Sequence, residues 1–144
     1  MVDIHIEYTG DQRCNAMHGP SSAELVTDAP VDNHGKGESF SPTDLLATAL
    51  GTCMITVMGI FASKRGIELR GTRVHVKKEM TASPPRRVAR LPSVIDVPSE
   101  VAQTIDETTR SELVRIAETC PVRLSLLASI EVPLTFHWGD AQPR

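Results

Sequence analysis

The chain lacks any block of like charge: 15 Lys and Arg stand against 18 Asp and Glu over 144 residues, for a formal net charge of −3. Without a basic stripe to displace phosphate counterions, nucleic acid and anionic membranes are poor candidates as partners, and a small or neutral substrate is expected. No Gly-x-Ser-x-Gly is present, so no serine sits on a nucleophile elbow. Gly35-Lys36-Gly37 lacks both the upstream glycine and the hydroxyl residue after lysine that a phosphate loop needs. The histidines are dispersed at His5, His18, His34, His75 and His137, and no cysteine pair has zinc-ligand spacing. There is no repeat and no low-complexity tract, and the length suits one domain over 1–144 with no disulfide framework required for stability.

Cysteine is scarce as well. Three cysteines, behind an N-terminal Met-Val-Asp-Ile-His-Ile that alternates like a strand and has no basic, apolar leader character, are not the pattern of a secreted disulfide scaffold. A reducing cytoplasm is the expected compartment, where a disulfide is more often transient and catalytic than structural.

What the chain does have is an uncharged run over 45–62 with Cys53 inside it, and a Cys120-Pro121 pair at a predicted helix start. The run reaches the length at which a membrane span must be considered. Thr48, Thr52 and Thr56 recur every fourth residue and Gly51 and Gly59 interrupt it, so a buried core helix is the better reading. A helix apolar on most sides needs cover all round, which one small domain supplies poorly. A homodimer whose interface buries part of this helix is therefore expected.

Periodicity places the other elements. Ile4, Ile6 and Tyr8 alternate with His5 and Glu7, Gly10-Asp11 marks a turn, and 13–17 completes a hairpin. A third strand over 23–27 precedes a Gly- and Asp-rich loop over 28–40. Ser41-Pro42-Thr43-Asp44 reads as N-cap, first-turn proline and returning acid, opening a helix that runs to Arg65 and stops at Gly66. Strands over 72–80 and 88–97 flank a Ser83-Pro84-Pro85-Arg86 tip, with Pro92 demanding an edge or a bulge. One amphipathic helix capped by Ser99 is predicted to end near Thr119, followed by a short helix over 121–128. Ile130, Val132, Leu134 and Phe136 form a last, edge strand beside Pro133.

Cys53 admits two readings. It is a small buried hydrophobe, as free cysteine usually is, or a reactive thiol that needs a cation from elsewhere, because its apolar neighbours disfavour the thiolate. Cys120, as the N-cap ahead of Pro121, faces free backbone N–H groups, which are expected to lower its pKa somewhat; packing between two helices is the plain alternative. Asp44 admits two readings as well: a capping box needs a carboxylate or amide at its position whatever the function, and a site acid is the alternative. Asp44 lies nine residues before Cys53, about 180° around the helix at roughly 100° per residue, so the two cannot meet along one helical face. Cys14 beside Arg13 has no assigned role.

Ser41-Pro42-Thr43-Asp44-Leu45-Leu46, Ala49-Leu50-Gly51-Thr52-Cys53 and Cys120-Pro121-Val122 together resemble the family of osmotically inducible protein C (OsmC) and organic hydroperoxide resistance protein, and His18-Gly19-Pro20-Ser21 and Thr27-Asp28-Ala29-Pro30 look like its OsmC-like members. The resemblance covers nearly the whole chain. It implies an α+β fold in which two long helices pack against curved antiparallel sheets, assembled as an intertwined homodimer. It further implies an antioxidant, stress-response enzyme, a thiol-dependent peroxidase acting on organic hydroperoxides. In that scheme Cys53 matches the peroxidatic cysteine and Cys120 the resolving one, joined by a redox-active disulfide that an external dithiol reduces. Arg13 is the candidate for the thiolate-stabilising arginine, with Arg86 and Arg87 as alternatives. Asp44 stands in for the family's glutamate that orients the arginine, one residue closer to the cysteine than usual, Thr43 holding the glutamate's place. No metal, haem or flavin is implied. The rival readings are a small-ligand-binding dimer and a redox sensor without peroxide turnover.

Overall fold

The computed structural model describes residues 1–139, and the chain falls into two compact units, Met1–Leu46 and Ala47–Arg144. In the first, β1 (Ile4–Gly10), β2 (Arg13–His18) and β3 (Glu24–Asp28) form an antiparallel meander in that order. The β1–β2 turn places Asp11 and Gln12 at φ 50° and 58°, both left-handed, the twist that a two-residue hairpin loop favours. Register puts Ile4, Ile6 and Tyr8 on one face with Cys14, Ala16 and Leu25, and Arg13 on the other with Asp28 directly across.

The loop that follows closes on the Asp28 backbone, whose N–H donates to the Phe40 carbonyl at 3.1 Å. A one-turn 3-10 helix covers Val31–Asn33. Gly35 runs so close to the Ala29 carbonyl that a Cβ there would lie 1.7 Å from the oxygen, which excludes any side chain.

Helix α1 (Pro42–Ser63) starts as its sequence predicts. The Asp44 carboxylate accepts from the Ser41 N–H at 2.8 Å, and Ser41 Oγ accepts from the Asp44 N–H at 3.2 Å, a reciprocal capping box. Its end is a Schellman motif: Ile67 N–H donates to Ala62 O at 3.0 Å and Gly66 N–H to Ser63 O at 3.1 Å, with Gly66 at φ 71°. The 45–62 run is not covered on most sides, however. The stripe Ala47, Leu50, Gly51, Met54, Met58 and Ala62 is buried, Ile60 is exposed, and Leu46, Ala49, Ile55, Val57 and Phe61 are half-buried. Among the described residues α1 is the one helix long and apolar enough to cross a membrane, a test that core helices of soluble proteins also pass.

In the second unit β4 (Arg73–Val76), β7 (Ser93–Val97) and β8 (Leu134–Trp138) form a sheet in the order β4-β7-β8. Val74 and Val76 meet α1 at Gly51, where an added Cβ would lie 3.0–3.1 Å from their methyl groups, so the glycine sets how closely helix and sheet approach. The expectation of antiparallel sheets is corrected here: β8 runs parallel to β7, because the intervening helices carry the chain back to the sheet in the same direction. The 72–80/88–97 hairpin is also split. β5 (Glu79–Met80) pairs with β6 (Val88–Arg90) beyond a break at Pro92, whose carbonyl accepts the Lys77 N–H at 2.9 Å.

The predicted single helix from Ser99 to Thr119 is two helices, α2 (Ser99–Ala102) and α3 (Glu107–Glu118). Asp106 makes the break: its carboxylate accepts from the Thr109 N–H at 2.7 Å and caps a new helix there. The second of the two helices expected to be long is thus only 12 residues. After α3 comes α4 (Pro121–Ser125). The core of this unit gathers Leu50, Met54, Met58, Leu91, Ile95 and Leu113, each with no exposed surface.

Candidate active site

Cys53 lies on α1 at the margin of the buried stripe, with the buried Leu50 three residues before it and the half-buried Val57 four residues after it on the same side of the helix. It is half-buried and its thiol is free. Cys120 caps α4, where Pro121 occupies the first helical position, and it is 1 % exposed. Its N–H donates to the Ala117 carbonyl at 3.4 Å, and its Sγ accepts from the Arg123 N–H at 3.4 Å. The Arg123 guanidinium is tied to the Val132 carbonyl at 2.9 Å, which fixes the turn on which Cys120 sits.

The two thiols are neighbours. Burial pushes the Cys120 thiol above the ordinary thiol range, and hydrogen bonding to Cys53 and negative charge on Cys53 push the same way. The Arg123 and Val122 N–H groups pull it down but do not prevail. The expectation that the helix start lowers this pKa is therefore overturned: one turn of backbone dipole does not offset removal of the sulfur from water. Both cysteines are free thiols, Cys53 half-buried and Cys120 buried.

Arg13 and Asp44 belong to the first unit. The Arg13 guanidinium is held by Asp28 at 3.2 Å and by Glu38, and these contacts, Glu38 first, raise its pKa further. Asp28 is fully buried, and its carboxyl is held below the usual carboxylate range, first by the Glu38 N–H at 2.9 Å and then by the Lys36 N–H at 3.3 Å and Arg13, against the cost of burial. Asp44 makes the capping contacts described above.

Sequence reasoning missed Asp28 and Glu38. The signal available was Asp28 itself, an acid ending a strand in register with Arg13, a pairing that only an explicit strand alignment exposes. Cys14 pairs with Tyr8 and Thr27 across the sheet and is half-buried. Among the described residues no three His, Cys, Asp or Glu side chains cluster as a metal site.

The model of the family described as OsmC-like protein matches residues 35–135. A crystal structure from Psychrobacter arcticus 273-4, described as an osmotic stress induced and detoxification response protein, is 43% identical, with a TM-score of 0.87 over 95% of this chain and 96% of that one. The organic hydroperoxide resistance protein OsmC of Legionella pneumophila has a TM-score of 0.69 at 16% identity, covering 94% of this chain and 96% of its own. The organic hydroperoxide resistance protein OhrB of Bacillus subtilis has a TM-score of 0.65 at 14% identity, covering 95% and 98%. At those identities the last two share the fold alone. No curated protein matches the chain.

Proposed function

The chain belongs to the OsmC-like family, and from that premise we propose that it is a thiol-dependent peroxidase that reduces organic hydroperoxides. The observation that carries the reading is the meeting of Cys53 and Cys120, far apart in sequence, with the second thiol dry and the first partly open. In the proposed cycle the Cys53 thiolate attacks the distal peroxide oxygen, the O–O bond breaks and an alcohol leaves. The resulting Cys53 sulfenic acid condenses with Cys120 to a disulfide, releasing water, and an external dithiol reduces the disulfide. Fast resolution protects Cys53 from irreversible oxidation. The apolar neighbours Leu50, Met54 and Val57 favour an organic hydroperoxide over hydrogen peroxide. Arg13 as the cation for the thiolate and Asp44 as its orienting acid enter from the family resemblance.

The proposed assembly is a cytoplasmic homodimer. Its support is the row Ile4, Ile6, Tyr8 and Leu25 on one face of the first sheet, 44–69% exposed. Apolar surface of that kind is ordinarily covered by a partner.

Steady-state turnover of tert-butyl hydroperoxide with a dithiol reductant tests the reading. Cys53→Ser is expected to abolish turnover. Cys120→Ser is expected to permit one oxidation event and then stall as a sulfenic acid. Turnover by Cys53→Ser equal to that of the intact protein would sink the proposal.

A further inference from the structure

The geometry points to Cys120 as the acid of the first chemical step as well as the thiol of the second. The inference rests on the peroxidase reading and deepens it. When the Cys53 sulfur attacks an alkyl hydroperoxide, the S–O bond forms, the O–O bond breaks and the electron pair leaves on the proximal oxygen. That alkoxide is a strong base and a poor leaving group, so a proton delivered in the transition state lowers the barrier. A positioned acid contributes roughly 10²–10⁴-fold.

Three observations qualify Cys120 for this task. It neighbours the Cys53 thiol and is 1 % exposed, so its proton is not shared with bulk water. Burial and the charge on Cys53 both keep it in the thiol form when Cys53 is a thiolate. The Arg123 N–H, 3.4 Å from its Sγ, then stabilises the thiolate left behind.

The steps balance. The distal oxygen keeps its hydrogen and becomes the hydroxyl of the Cys53 sulfenic acid, while the proximal oxygen takes the Cys120 proton and departs as alcohol. Cys53 is oxidised by two electrons and the peroxide is reduced. The Cys120 thiolate so generated attacks the Cys53 sulfur, the S–S bond forms, the S–O bond breaks, and hydroxide leaves and is protonated by solvent. Proton transfer in the first step thus arms the nucleophile of the second. It also explains why alkyl hydroperoxides would gain more from this site than oxidants whose leaving group is already a weak base.

The leaving group is therefore the test. Loss of the Cys53 thiol is followed by rapid mixing, alkylation and peptide mass mapping in the intact protein, Cys120→Ala and Cys120→Ser. One arm uses tert-butyl hydroperoxide, which expels an alkoxide, and the other uses peracetic acid, which expels a carboxylate. With tert-butyl hydroperoxide, Cys120→Ala is expected to slow the first oxidation about tenfold or more, with Cys120→Ser in between; with peracetic acid the change is expected to stay within about twofold. Unchanged rates with both oxidants, or equal slowing with both, would overturn the assignment, the second outcome marking a packing role. If Cys53 of the intact protein reacts with neither oxidant, the peroxidase reading itself fails, a result distinct from any difference between variants.

Discussion

The two units of this chain bury opposite kinds of residue. In Met1–Leu46 the buried side chains are Thr27, Asp28 and Ser41, all polar, while Ile4, Ile6, Tyr8, Leu25, Val26 and Phe40 are exposed. Beyond Leu46 the pattern inverts: Leu50, Met54, Met58, Leu91, Ile95 and Leu113 are buried, and the exposed large hydrophobics are Ile60, Leu124 and Leu127. The second unit therefore has a hydrophobic core to hold its thiol pair in place. The first has none, and a piece that short without an apolar core is not self-sufficient. Its order within the chain comes from strand pairing and from the carboxylate of Asp28, and its apolar side chains stay exposed.

The most forceful way to break this contrast is to remove a core side chain from the second unit. Leu113→Ala is expected to cost about 2–5 kcal/mol, read as a lower urea midpoint, because the site is fully enclosed. A loss under about 0.5 kcal/mol would mean that the core does not carry this unit. The next test sharpens the other half. If the face of Ile4, Ile6, Tyr8 and Leu25 is a dimer surface, Ile6→Asp should weaken association about tenfold or more, seen by sedimentation as a shift toward 15.7 kDa. An intact protein that already sediments as a monomer at micromolar concentration would remove the homodimer from the proposal.

The same contrast governs how far the sequence could be read. The β1–β2 hairpin, the α1 capping box and the Gly66 stop were legible because each is written locally, in turn residues and caps. The break between α2 and α3 was not. The apolar spacing of Val101, Ile105 and Leu113 runs across it, and the competing signal, Asp106 as a cap, is one residue set against a periodic pattern. The parallel pairing of β8 was hidden for a different reason, since alternation fixes which face a strand buries and not which way its neighbour runs. At the site, the Cys120 cap could be read from Cys-Pro, whereas the direction of its pKa could not. A helix start is visible in sequence, but the burial that outweighs it comes from the whole fold.

The smallest and most local effect belongs to Asp28, and it tests whether charge does in the first unit what apolar packing does in the second. Its folded pKa lies below the ordinary value, chiefly through the Glu38 N–H, so the native state binds the proton less readily than the unfolded chain does. The stabilisation is therefore present above the unfolded carboxylate pKa of about 3.9 and is lost as pH falls through the lower folded value. The amides that Asp28 accepts, those of Lys36 and Glu38, report this directly. Asp28→Asn should speed their hydrogen exchange, corrected for intrinsic rates, at neutral pH while leaving the Leu113 amide unchanged. In the intact protein the corrected protection of the same two amides should fall below about pH 4, and in Asp28→Asn that pH dependence should disappear. Protection that survives the substitution would mean that the loop is held by something other than this carboxylate, and the contrast between a charge-organised unit and a core-organised one would fall with it.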